Sequence, residues 1–110
     1  MMSIEEWKTA VNASEKAIVV EGKNDEKALR EMGIANRIYQ LSRKAIFAVI
    51  EEVWQKERQV IILTDLDKEG KKLYGRLSSG LQDHGVEIDN VFREWLFRNS
   101  QVRQVEGLKL

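Results

Sequence analysis

The chain has 110 residues, 43% of them hydrophobic and 33% charged, with 18 basic side chains balancing 18 acidic ones, one histidine, no cysteine and no proline. This length supports one hydrophobic core rather than two ordinary domains, and the composition excludes a disordered tract. Without cysteine there is no disulfide, thiolate nucleophile or cysteine zinc site, and zero net charge leaves attraction to nucleic acid to local patches.

No apolar run approaches the roughly 20 residues of a membrane span. The opening Met1-Met2-Ser3-Ile4-Glu5-Glu6-Trp7 lacks the basic and apolar regions of a secretion signal, so a cytoplasmic protein is expected. Ser3 and Glu6 have capping-box spacing, and Ile4, Trp7 and Val11 then share a face, which predicts an opening helix. Ala17-Ile18-Val19-Val20 is a continuous apolar run, as in a parallel strand covered on both faces, and it stops at Glu21-Gly22-Lys23-Asn24-Asp25. Asn24 or Asp25 is the expected cap of a helix running through Met32 and stopped by Gly33. Arg37 to Leu41 alternates as a weak strand, and Ser42 can cap a helix carrying Ile46, Val49, Ile50, Val53 and Trp54 on one side. Val60-Ile61-Ile62-Leu63 is a second buried strand, running into Thr64-Asp65-Leu66-Asp67. Leu73, Tyr74, Leu77 and Leu81 recur at helical spacing up to Gly85, where His84 suits a cation at a helix C-terminus, and Val86 to Phe92 reads as a last strand. From Arg93 onward, with Trp95, Leu96 and Phe97 together, the tail is either a packing helix or an irregular cover.

Strands alternating with helices in this way predict an α/β three-layer open sheet of about four mainly parallel strands joined by right-handed crossovers. Ligands of such sheets bind beyond the carboxyl ends of the strands, which is where both acidic clusters fall. Glu21 and Asp65 each follow a buried strand, Asp67 projects to the same side as Asp65 in extended chain, and Asp25 can return from the first turn of its helix. Such crowding of carboxylates calls for a compensating cation, and oxygen ligands favour Mg²⁺, with Mn²⁺ as the alternative, over zinc. Taken singly, Asp25, Asp65 and Asp67 suit helix caps or turns equally well, whereas Glu21 is a poor cap and a poor strand end. Gly22 and Gly70 allow close approach to a ligand or simply a turn, and Lys23, Lys68, Lys71 and Lys72 are either phosphate contacts or solvated faces.

The segments Ile18-Val19-Val20-Glu21-Gly22-Lys23-Asn24-Asp25 and Ile61-Ile62-Leu63-Thr64-Asp65-Leu66-Asp67-Lys68-Glu69-Gly70 together resemble the Toprim domain, known for a Glu-Gly motif after its first strand and an Asp-x-Asp motif after a later one. The resemblance runs from about 17 to 92 within a single domain of residues 1–110, leaving 93–110 as a C-terminal extension. It implies a Rossmann-like fold and Mg²⁺-dependent making or breaking of phosphodiester bonds, with Glu21 as general acid/base, Asp65 and Asp67 on the metal, and Asp25 at a further acidic position. Tyr39 and Tyr74 lie in apparent core elements, unlike a topoisomerase nucleophile, and the template and nucleotide domains of a replicative primase have no counterpart. The stand-alone primase-like proteins and ribosomal RNA maturases are the more similar members. Gln104-Val105-Glu106-Gly107 resembles a Val-Glu step in that group, which makes Glu106 either an added acidic group or a surface glutamate. Where some members carry another acidic pair, Arg93-Glu94-Trp95 stands here.

The expected function is that of a small Toprim nuclease or primase-like protein acting on DNA or RNA. The alternative is a non-catalytic module in which Arg93, Arg98, Arg103, Trp95 and Phe97 contact nucleic acid or a protein partner, although Trp95 and Phe97 suit core packing better. A third reading, a phosphorylated small ligand on a receiver-like or phosphatase-like rim, lacks a lysine placed after a later strand.

Overall fold

The computed structural model describes residues 3–42, 44–99 and 104–108. Helix α1 (Ile4–Ser14) opens on the capping box read from sequence: the Ser3 hydroxyl accepts the Glu6 N–H and the Glu6 carboxylate accepts the Ser3 N–H, both at 3.1 Å. Strands β1 (Ala17–Val20), β2 (Ile38–Gln40), β3 (Gln59–Ile62) and β4 (Glu87–Ile88) alternate with helices α2 (Lys23–Met32), α3 (Ile46–Lys56), α4 (Lys68–Gln82) and α5 (Val91–Asn99), and a 3₁₀ turn covers Val105–Gly107. The sheet order is β2-β1-β3-β4 and every pairing is parallel, with Ile18 opposite both Ile38 and Ile61. No helix of the described residues is long and apolar enough to cross a membrane.

The period-two alternation of strand side chains divides the core in two. Ile18, Val20, Ile61 and Leu63 face α1, α2 and α5 through Trp7, Val11, Leu29, Phe92 and Leu96. Ala17, Val19, Val60 and Ile62 face α3 and α4 through Val49, Val53, Leu77 and Leu81. Trp7 ties the first layer together, because its buried indole N–H donates to the Phe92 carbonyl at 2.9 Å while its ring meets Phe92 edge-on. Trp7→Phe removes the indole N–H and one of the two fused rings, so urea melts should show a loss of about 1–3 kcal/mol from the lost buried hydrogen bond and the small cavity left behind.

Three local expectations are corrected. Helix α2 is capped by Gly22, not by Asn24 or Asp25; Asp25 sits one turn in and its carboxylate accepts the Gly22 N–H at 2.9 Å. Ser42 does not cap α3, whose N-cap is Ala45 without a side-chain bond; the Ser42 N–H instead continues the β2 edge by donating to the Glu21 carbonyl at 2.9 Å. The last strand stops at Ile88, because the Asp89 carboxylate accepts the Val91 N–H at 3.1 Å and starts a new helix, so Val91 and Phe92 belong to α5. Trp54 stays 37% exposed at the α3–α4 seam, stacked on His84 with ring centroids 4.8 Å apart. His84 lies beyond the last turn of α4, its Nδ1 3.0 Å from the Gly80 carbonyl oxygen.

Candidate functional site

From β1 the chain crosses to β2 on one side, and from β3 it crosses to β4 on the other. The crevice between the carboxyl ends of β1 and β3 is therefore the switch point at which such sheets bind ligands. Glu21 leaves β1 there and Thr64-Asp65 leaves β3. A Glu21 carboxylate oxygen accepts the Asp65 N–H at 2.7 Å, so two acidic motifs 44 residues apart meet directly. One Asp65 carboxylate oxygen accepts the Val105 N–H at 2.7 Å, which brings the C-terminal 3₁₀ turn onto the rim. The Asp67 carboxylate caps α4 by accepting the Gly70 N–H at 2.7 Å. Glu106 is exposed, and its charge reaches Asp25.

The electrostatics follow from burial. Partial burial pushes the Glu21 carboxyl above its ordinary value; the Asp65 N–H opposes this, and the charges of Asp65, Asp67 and Asp25 reinforce it. Burial likewise raises Asp25 against the pull of the Gly22 N–H, with Asp65 and Glu106 adding to the rise. Among the described residues no lysine or arginine forms an ion pair within 4.0 Å of any of these carboxylates. Lys23, Lys68, Lys71 and Lys72 stand exposed on the first turns of α2 and α4. Arg93 is turned inward: Nε donates to the Thr64 carbonyl at 3.1 Å and Nη2 to the Asp65 carbonyl at 3.0 Å. Phe97 is buried and Trp95 packs beside the same core, as core residues rather than surface contacts. Arg98 is exposed, and Arg103 lies outside the described residues.

Only one of the two motif glycines is required by space. A Cβ on Gly70 would lie 2.1 Å from the Asp65 carbonyl oxygen, whereas one on Gly22 would find only the Ser42 hydroxyl at 3.7 Å, an ordinary contact.

Glu21, Asp25, Asp65 and Asp67 thus share one rim without converging: among the described residues no group of three or more acidic or histidine side chains is placed to hold a metal ion. Each carboxylate is turned toward a main-chain N–H. The donor set still fits a hard divalent cation held by one or two carboxylates, with water and substrate oxygens completing the shell. Sequence reasoning missed the Val105 N–H on Asp65 and the Arg93 bonds behind it. The first is a main-chain donor and leaves no side-chain signature; the only hint of the second was an arginine where an acidic residue was sought.

The Toprim domain family matches residues 15–92. Over 108 residues the chain is 31% identical to a UPF0292 protein of Methanocaldococcus jannaschii, covering 96% of this chain and 83% of that protein. It is 38% identical over 94 residues to a UPF0292 protein of Pyrococcus abyssi, covering 84% and 70%. A solved protein structure from Aquifex aeolicus superposes with a TM-score of 0.87 at 30% identity, over 96% of this chain and 98% of that one. The zinc-binding and RNA polymerase domains of the Aquifex aeolicus primase superpose with a TM-score of 0.56 at 25% identity, over 83% of this chain and 24% of that chain. With its Glu-Gly and Asp-x-Asp motifs meeting at the switch point of a parallel sheet, the chain belongs to the Toprim family of nucleic-acid-processing domains.

Proposed function

We propose that residues 1–110 form one cytoplasmic Toprim domain that cleaves phosphodiester bonds in nucleic acid with Mg²⁺, or Mn²⁺ in its place. One observation carries this reading: the Asp65 N–H reaches the Glu21 carboxylate, which seats a partly buried glutamate beside the Asp-x-Asp motif. Asp65 and Asp67 would hold the cation, with Asp25 and Glu106 as further acidic groups. When bound, such a cation orients a phosphate, offsets charge on its oxygens and acidifies a water.

Glu21 carries the proton. Its raised carboxyl exchanges protons closer to neutrality than an exposed glutamate does, so it can take a proton from an attacking water or return one to the departing oxygen. Lys23, Lys68 and Lys71, beside Gly22 and Gly70 on the opening turns of α2 and α4, would meet phosphates arriving at the rim. Hydrolysis needs no more than these groups, which favours a nuclease over primase-like nucleotidyl transfer.

A panel of structured RNA, single-stranded RNA and DNA should be cut with Mg²⁺ or Mn²⁺ and left intact with chelator. Asp65→Asn should raise the metal concentration for half-maximal cleavage about tenfold or more. A second reading, a binding module without turnover, is favoured by the carboxylates already bonded to main-chain N–H groups. Binding that persists in chelator, with no cleavage in either metal, would select it.

A further inference from the structure

We infer that Arg93 is the positioning residue of the acidic rim, holding the Thr64 and Asp65 carbonyls from behind so that the Asp65 N–H points at Glu21. The inference takes the rim to be the functional site, as proposed above.

The need for such a clamp follows from the sheet. Strand β4 pairs only with Gln59 and Val60, and its ladder closes where the Asp89 N–H reaches the Val60 carbonyl at 2.9 Å. The chain from Leu63 to Asp65 therefore leaves the sheet with no β4 partner, although it carries the motif. Thr64 supplies no polar anchor through its side chain, since its hydroxyl is buried with no hydrogen-bond partner among the described residues. Arg93 fills the role of the missing strand, its Nε and Nη2 donating at 3.1 and 3.0 Å to two consecutive carbonyls. A guanidinium spans two acceptors as a rigid fork, which a lysine ammonium cannot do.

The clamp is itself held. The guanidinium carbon lies 4.6 Å from the Tyr74 ring centroid and 5.3 Å from that of Phe97, so α4 and α5 fix it between two aromatic faces. From the other side, Gly70 presses on the Asp65 carbonyl so closely that no Cβ fits between them. That carbonyl is therefore fixed by Arg93 and by the first turn of α4 together, while the Thr64 carbonyl held by Arg93 Nε shares its peptide plane with the Asp65 N–H and sets the direction of that N–H. Arg93 makes no ion pair with the rim carboxylates among the described residues, so it acts through the Asp65 backbone and is not a ligand. Neither acidic motif contains it, and it follows Asp65 by 28 residues.

Arg93→Lys and Arg93→Met test this, with exposed Arg98→Met on the same helix as control. Backbone amide NMR is recorded below each variant's melting temperature, and cleavage is measured in parallel. In Arg93→Lys the Asp65 amide proton should move upfield, as its bond to Glu21 lengthens, by more than any other amide outside α5. Any cleavage should fall about tenfold or more in kcat with KM little changed, as expected of misplacement rather than lost binding. Arg98→Met should leave the amide and the rate unchanged. An Asp65 amide that stays in place in folded Arg93→Lys would overturn the inference, and so would one that moves equally in Arg98→Met. If Arg93→Met fails to fold, the lysine variant decides. If the parent cuts nothing while the Asp65 amide moves in Arg93→Lys, the positioning role stands and the nuclease reading fails.

Discussion

Glu21→Gln is expected to lower cleavage by about 10²–10⁴-fold, the range of a lost general acid/base, while raising the melting temperature at neutral pH. The amide oxygen of glutamine can still accept the Asp65 N–H, so the link between β1 and β3 survives, and only the proton and the charge are removed. The gain in stability follows from the sign of the shift. Burial, helped by Asp65, Asp67 and Asp25, places the folded carboxyl above its ordinary value of 4.5. Such a group contributes stability below about its unfolded value, and that contribution is lost as pH rises through the folded value. At pH 7.5 the ionised rim works against folding, and glutamine relieves it. At pH 4, where Glu21 is largely protonated, the parent and variant should melt together. Asp25 is raised from its ordinary value of 3.8 for the same reason, so the parent should lose stability over the same acid-to-neutral window. Melting curves at several pH values check this: a variant no more stable than the parent at pH 7.5 would contradict the strain assigned to Glu21. Undiminished cleavage would remove its assigned role. Together the two effects describe a residue kept for chemistry at the expense of stability, as functional sites commonly are.

The second large effect concerns Gly70. Gly70→Ala should cost about 3 kcal/mol in denaturant melts, at the upper end for an overpacked site. The added Cβ would lie 2.1 Å from the Asp65 carbonyl oxygen and 2.6 Å from its carbon, both main-chain atoms that no rotamer change can clear. Either the first turn of α4 unwinds or the Asp65–Leu66 peptide turns away, and turning it breaks the bond of the Asp65 carbonyl to Arg93. Gly22→Ala, with no atom nearer than 3.7 Å, is the control and should be tolerated far better. Equal losses at the two glycines would show that Gly70 is not pressed against Asp65.

In sequence the two glycines look alike, each following an acidic motif, and only the folded packing separates them. The strands that build the rim were legible because Ala17–Val20 and Val60–Leu63 are continuous apolar runs, and a parallel sheet covered on both faces buries all of them. The position of Glu21 and Asp65 at one rim followed from where those runs stop. The Ser3–Glu6 capping box was legible because every partner in it is local. Val86 to Phe92 misled because Val91 and Phe92 are as apolar as a strand requires, whereas Asp89 and Asn90 break the run and Phe92 and Leu96 bury one face of a helix. Only the alternative binding-module reading gave Arg93 a role, as a contact to nucleic acid or a partner; its inward turn depends on Tyr74, Phe97 and two carbonyls brought together only by the fold. The carboxylates were legible as a cluster but not in their orientation, which main-chain N–H groups decide.

Mn²⁺ titrated at substoichiometric amounts into ¹⁵N-labelled protein, followed by paramagnetic broadening of the amide signals, reports directly where a divalent cation sits. A cation held at the crevice between β1 and β3 predicts that the amides of Gly22, Asp65 and Leu66 broaden first, and that Asp65→Asn weakens the effect. Broadening that begins elsewhere, or none in the presence of a short oligonucleotide, would contradict a metal site on this rim.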